Sequence, residues 1–240
     1  MVKVNVYSVD GTIKEEIDLP KVFNTPYRPD IIRKSFNILH SNRRQPYGSD
    51  PLAGKKHAVA SVGKGRGMSR VPRLTSGRRG ALAPCVVGGR RAHPPKPERS
   101  WKEKINKKER ILSIKSALAT TADREIVSKR GHKFNEKITL PVIIEDNFEK
   151  IGIYSDITRA TNGKHIRAGR GKTRGRKYRT PKSVLIVLTK ETLGKSSCNL
   201  TGVNIVKPSR LNIEHLAPGG DAGRLTVFTK SALKEIGGAN

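Results

Sequence analysis

The sequence predicts an α/β fold: a mostly parallel sheet with helices on both faces, interrupted by one long extended basic loop. Short apolar runs of strand length alternate with helix-patterned stretches through the C-terminal two thirds, the pattern of a sheet covered on both sides. One of the helical stretches carries two apolar faces, so both of its sides need cover. Cations and apolar residues are also kept apart along the chain, leaving a loop that cannot build a core.

The elements follow in order. Val2, Val4 and Val6 alternate as a half-buried strand does, and Asp10-Gly11 supplies a tight hairpin turn before Ile13, Ile17 and Leu19. Pro29-Asp30 opens a helix with Ile32, Phe36 and Leu39 at helical spacing, ending near His40. Ser100 is a candidate cap for a helix running to about Ala122. Ile111, Ile114, Leu118 and Ala122 share one face of it, and Trp101, Ile105 and Leu112 another. The apolar runs 140–144, 183–188, 203–206 and 225–228 read as buried strands, with helices expected near 147–160 and 230–236. There is no internal repeat. The chain is expected to be a single α/β domain over 1–240, with the loop 43–99 protruding from it, because that loop leaves one helix and returns into another.

Charge narrows the function. The 240 residues include 49 Lys or Arg against 20 Asp or Glu, a net charge of +29. Self-repulsion of that size disfavours compaction unless a polyanion neutralises it. Residues 43–99 hold 14 Lys/Arg against Asp50 and Glu98, with nine Gly, seven Pro and neither Ile nor Phe. Residues 163–179 add eight Lys/Arg and four Gly with no acid at all. Elsewhere the charge is that of an ordinary domain.

Several classes are excluded. No apolar run approaches the ~18 residues that a membrane span needs, and the alternating N-terminus does not read as a secretory signal. Cys85 and Cys198 are far apart and fit neither a disulfide framework nor a zinc site, in keeping with an intracellular setting. The six His show no metal-ligand spacing, and no acid/base pair of carboxylates stands out, so neither a metal nor a cofactor is expected and the protein does not read as an enzyme.

Two near-misses to a phosphate-binding loop, Gly194-Lys195-Ser196 and Gly171-Lys172-Thr173, have Thr189 and Ile166 where the first glycine belongs. Residues 219–223 (GGDAG) lead into a strand-like run instead of the helix that a dinucleotide fingerprint requires. A nucleotide-dependent RNA enzyme therefore lacks its loop. A DNA-compacting protein shares the charge but has no use for a long internal loop beside an α/β sheet.

The basic blocks carry the chemistry. Glycine permits close backbone approach to a phosphate chain, and arginine offers planar, bidentate donors that also stack on bases. Tyr47 is the sole aromatic between 43 and 99, so recognition is expected to rest on phosphates, 2′-hydroxyls and RNA shape. The candidate RNA-binding residues in the loop are Arg43, Arg44, Lys55, Lys56, Lys64, Arg66, Arg70, Arg73, Arg78, Arg79, Arg90, Arg91, Lys96 and Arg99. In the second block they are Arg167, Arg170, Lys172, Arg174, Arg176, Lys177 and Arg179.

Four pieces, in this order and spacing, resemble the universal large-subunit ribosomal protein four family. They are GKGRG at 63–67, GGRRAHPPKP at 88–97, HIRAGRGKTRGRKYRTPK at 165–182 and LAPGGDAG at 216–223. The resemblance is to the archaeal form, because the long C-terminal region of eukaryotic members has no counterpart after Asn240. It implies a three-layer α/β/α domain with a mostly parallel, four-stranded sheet on the outer surface of the large subunit. It also implies direct binding of large-subunit rRNA early in assembly, with contacts to several rRNA domains, and an internal loop that threads into the rRNA to form part of the polypeptide exit tunnel. By position that loop is 43–99, with Lys64, Arg66, Met68, Arg70 and Arg73 at or near its tip, and 163–179 is a second rRNA contact. The implied partners are large-subunit rRNA, neighbouring large-subunit proteins and the nascent polypeptide passing the tip. No membrane and no homo-oligomer is expected, and the implied location is the cytoplasmic ribosome.

Overall fold

The computed structural model describes residues 3–8, 11–145, 154–189 and 197–238. The chain divides into two compact units, one of residues 1–40 with 103–240 and one of residues 41–102. The elements begin with β1 (Lys3–Tyr7), β2 (Ile13–Asp18), α1 (Pro29–Asn42), β3 (Val59–Ala60) and β4 (Arg73–Leu74). Next come α2 (Lys107–Ala119), α3 (Arg124–Lys129), β5 (Val142–Ile144), α4 (Tyr154–Asn162), β6 (His165–Ile166) and β7 (Tyr178–Arg179). The chain continues with β8 (Leu185–Val187), β9 (Asn204–Val206), α5 (Ile213–Leu216), β10 (Thr226–Thr229) and α6 (Lys230–Gly238).

The larger unit is built on a sheet of order β2-β1-β5-β10-β8-β9. Every neighbouring pair in it is parallel except β1 with β2. The sheet thus has six strands where the resemblance implies four. β2 adds an antiparallel edge whose charged, exposed residues protect it from further pairing, and the half-buried β9 closes the other edge. In the β1–β2 turn Gly11 has a φ of 80°; Val2 and Asp10 lie outside the described residues.

The apolar runs are nearly continuous, broken by Ser183, Asn204 and Thr226, because both sheet faces are covered. Alternate residues point to opposite sides, so Ile143, Leu185, Val187 and Phe228 enter one core with Val4, Val6, Ile32, Leu118, Leu216 and Leu233. Val142, Ile144, Ile186, Leu188, Leu225 and Val227 enter the other with Tyr7, Val127 and Leu140. Each such large side chain contributes roughly 1.5–3 kcal/mol on full burial. Phe23 meets Phe228 edge-on, centroids 6.0 Å apart.

Helix α1 begins at Pro29 as expected and buries Ile32, Ser35 and Ile38. Helix α2 differs from expectation. Asn106, not Ser100, caps it, its side chain accepting from the Lys108 N–H, and 100–105 are not helical. Its buried residues are Ser113, Ser116, Ala117 and Leu118, whereas Ile111 is exposed. The face is small because it packs closely: the Ser116 hydroxyl donates to the Pro26 carbonyl at 2.9 Å and accepts from the Arg28 N–H at 2.8 Å. Helix α3, unforeseen, is capped by Asp123, whose carboxylate accepts from the N–H groups of Glu125 and Ile126. Of the helix expected over 147–160, the part from Tyr154 is present as α4, and 147–153 lie outside the described residues.

Candidate nucleic-acid interface

Residues 41–102 contain no helix beyond the end of α1, and Ala81 is their one buried apolar side chain. Short turns organise them instead. β3 pairs antiparallel with β4, Val59 opposite Leu74 and Ala60 opposite Arg73, so 61–72 form a hairpin loop. Lys64, Arg66, Met68 and Arg70 stand exposed in that loop, the first three interleaved with Gly63, Gly65 and Gly67. These glycines have φ of 71°, 77° and 61°, and a Cβ on any of them would meet nothing within 4 Å. Their requirement is conformational, a left-handed backbone that side chains resist. The open space beside them admits a sugar–phosphate chain to the main-chain N–H groups.

The other candidates of this unit are placed in several ways. Arg73 braces the base of the hairpin: half-buried, it donates to the Arg78 carbonyl at 2.5 Å and the Ser69 hydroxyl at 3.1 Å. Lys56 pairs with Asp50 at 2.6 Å. The Arg44 and Arg99 guanidinium groups lie over the half-buried Trp101 ring, 4.3 and 4.2 Å from its centroid. Stacking occupies their planes and leaves N–H edges for phosphate. Arg43, Lys55, Arg78, Arg79, Arg91 and Lys96 are exposed, and Arg90 is half-buried.

In the larger unit the second block is also a hairpin. β6 and β7 pair antiparallel, His165 opposite Arg179 and Ile166 opposite Tyr178. The Arg167 N–H donates to the Lys177 carbonyl at 2.9 Å, and its Nε to the Tyr178 carbonyl at 3.2 Å. Arg167, Arg170, Lys172, Arg174, Arg176, Lys177 and Arg179 are all exposed. Like charges crowded on so small a ribbon repel one another until a polyanion neutralises them. The near-miss at 171–173 lies in the turn of this hairpin, where the Gly171 carbonyl accepts from the N–H groups of Arg174 and Arg176. The near-miss at 194–196 lies outside the described residues.

The frame holding this hairpin includes buried charges that sequence reasoning missed. Asp156, on α4, accepts from His132 Nδ1 at 3.0 Å, Ser183 Oγ at 2.7 Å, Arg159 Nε at 2.8 Å and the Lys133 N–H at 3.0 Å. Burial alone would raise the Asp156 pKa, but the hydrogen bonds from His132 and Arg159 outweigh it and hold the carboxyl below the usual carboxylate range. Burial pushes the His132 pKa down, opposed by Asp156.

Arg224 is 1% exposed. It donates to the carbonyls of Ser183, His215, Val184 and Gly202 and to Asn204 Oδ1, at 2.7 to 3.3 Å. Burial pushes its pKa down to about 9, still high enough to keep it charged at neutral pH. Arg130 donates to the carbonyls of Pro218, Asp221 and Ala222, so the 216–223 motif acts as a folded latch. No spacing pattern foretells these contacts, because their partners lie far apart in the chain.

Among the described residues no group of three or more His, Cys, Asp or Glu could hold a metal ion. No described helix is long and apolar enough to cross a membrane.

Comparison with known proteins bears on this arrangement. Residues 17–239 match the model of the "Ribosomal protein L4/L1 family". The chain is 49% identical to the large ribosomal subunit protein uL4 of Methanocaldococcus jannaschii, covering 98% of each chain. It is 47% identical to that of Thermoplasma acidophilum over 98% of this chain and 97% of the other. With the protein of Methanosphaera stadtmanae it shares 45% identity over 99% and 97%.

Proposed function

The chain belongs to the ribosomal protein L4/L1 family and is a structural protein of the large ribosomal subunit, not an enzyme; from that premise we propose a direct, architectural role on rRNA. The protein binds large-subunit rRNA early in assembly and contacts several rRNA domains. The segment 43–99 is its extended loop, with Lys64, Arg66, Met68 and Arg70 near the tip and Arg73 at the base of the hairpin that carries them. This loop forms part of the wall of the polypeptide exit tunnel, where the nascent chain passes. Residues 163–179 make a second rRNA contact, and neighbouring large-subunit proteins complete the surroundings in the cytoplasmic ribosome.

One observation carries the reading. The exposed cations are concentrated on two turn-rich segments that contain two acids in one case and none in the other. Lys and Arg that meet phosphates release condensed counterions, and this gain offsets the entropy cost of ordering a segment that has almost no core. Glycine-rich hairpins suit the crevices of a folded RNA better than a smooth duplex.

The test is sedimentation of ribosomes through moderate and then high salt, probing for this chain. The protein is expected to stay with large subunits after the high-salt wash. Its release into free or DNA-containing fractions would contradict the proposal and leave the loop a general polyanion-binding arm.

A further inference from the structure

The β6–β7 hairpin holds more than cations. Ile166 and Tyr178 face each other across it in direct register, and both are exposed, 57% and 51% respectively. The Nζ atoms of Lys164 and Lys177 lie 4.7 and 5.5 Å from the Tyr178 ring centroid. No acid occurs in 163–179. A lone tyrosine beside an isoleucine on a ribbon this short has no core to join, since Ile166 and Tyr178 belong to neither core cluster.

We propose that Tyr178, with Ile166 beside it, is a stacking platform for one unpaired nucleobase of RNA. The proposal rests on the rRNA-binding role proposed above. An unstacked base is a flat apolar face attached to a phosphate chain, and the hairpin presents the matching pair of features: an exposed ring and a surround of cations. The ammonium groups do not block the ring. An ammonium at an exposed site holds an aromatic face more weakly than a stacked base does, and both lysines stay within reach of the flanking phosphates when a base takes their place. Trp101 makes the contrast. Its ring is half-buried and already covered by Arg44 and Arg99, so it braces its own segment.

Stacking and phosphate contact differ in their salt dependence, because only the latter releases counterions. The experiment is filter binding of the full-length chain to protein-free large-subunit rRNA over a range of potassium chloride concentrations. The chains compared are wild type, Tyr178→Ala, Tyr178→Leu, Tyr178→Phe and Lys177→Ala. Tyr178→Ala and Tyr178→Leu are expected to weaken binding by about 5- to 100-fold, with the slope of log affinity against log salt unchanged. Tyr178→Phe should stay within about twofold of wild type. Lys177→Ala should flatten the slope by about 0.7 to 0.9.

Leucine retains apolar bulk on the hairpin, so a purely structural role for Tyr178 would spare that variant. Equal binding by wild type and Tyr178→Leu, or a flattened slope in Tyr178→Ala, overturns the stacking proposal while leaving the rRNA reading intact. A wild-type chain without affinity for the rRNA overturns both.

Discussion

Arg224 and Arg66 are the same residue type in opposite settings. Arg224 is 1% exposed with five acceptors around its guanidinium, whereas Arg66 stands exposed in a hairpin loop between Gly65 and Gly67. The difference extends to the units that hold them. The sheet-bearing unit has two apolar cores, one on each face, while residues 41–102 bury only Ala81 among their apolar side chains. The first unit is therefore held by its own interior. The second has little to offset its chain entropy, and the rRNA contact proposed for it would supply that offset. In one chain, arginine satisfies carbonyls where the fold needs closing and stands exposed on the segment for which rRNA contact is proposed.

Deleting 43–99 in favour of a short Gly-Ser link is the largest perturbation of this contrast. Loss of six phosphate contacts would flatten the slope of log affinity against log salt by about 5, since each contributes about 0.9. The sheet-bearing unit should keep its cooperative thermal unfolding, measurable by circular dichroism. An unchanged slope would mean that this segment meets no phosphate.

The opposite effect is expected of Arg224→Met. It leaves buried carbonyls without a donor, and each such group costs about 1–3 kcal/mol. A loss of at least about 3 kcal/mol should appear in urea unfolding, while the salt slope of whatever chain remains folded stays that of wild type.

Acid should act on the same frame. His132, lowered from its ordinary pKa, resists protonation when folded, so stability falls as pH drops through the unfolded His value of about 6.5. Asp156 is likewise lowered, so its contribution is complete above about 3.9 and fades as pH falls below that. Urea midpoints should decrease on acidification through both ranges, and Asp156→Asn should flatten the lower one. A midpoint independent of pH would contradict the buried network.

The smallest effects distinguish two glycines. A Cβ at Gly223, φ 88°, would meet Ile126 Cγ2 at 2.6 Å and the Ile126 carbonyl oxygen at 2.9 Å, whereas one at Gly65 meets nothing within 4 Å. Gly223→Ala should lower the unfolding midpoint by more than the ~1 kcal/mol equivalent of an unfavourable φ alone. Gly65→Ala carries only the strain of its φ of 77°, so it should lower the midpoint by no more than about 1 kcal/mol while weakening RNA binding. Equal effects on stability would remove the distinction between the two units.

How far the sequence foretold this follows the same division. The buried strands were legible because 184–188 is apolar at every position and 225–228 is broken only by Thr226, as a doubly covered sheet requires. Helix α1 was legible from Pro29 and its periodic apolar residues. Helix α2 was placed too early because Ser100, Trp101 and Ile105 imitate a cap and an apolar face in a stretch that is not helical, whereas Asn106 caps the helix and its buried face, Ser113, Ser116, Ala117 and Leu118, is mostly small. β2 is half of a hairpin, but its exposed charges hide its place in a six-stranded sheet. In the candidate interface the cations stood out by density alone. Arg224 did not, because burial of an arginine depends on carbonyls from 183, 184, 202 and 215 that only the folded chain brings together. Tyr178 was passed over for the same reason: its cross-strand partner Ile166 sits twelve residues away.

The most direct test of the central contrast is amide hydrogen exchange on the full-length chain, free and bound to protein-free large-subunit rRNA. Amides of 43–99 should exchange quickly in the free chain and become protected on binding, while those of β5, β8 and β10 are equally slow in both. Protection of 43–99 in the free chain, or its continued rapid exchange in the complex, would contradict the account.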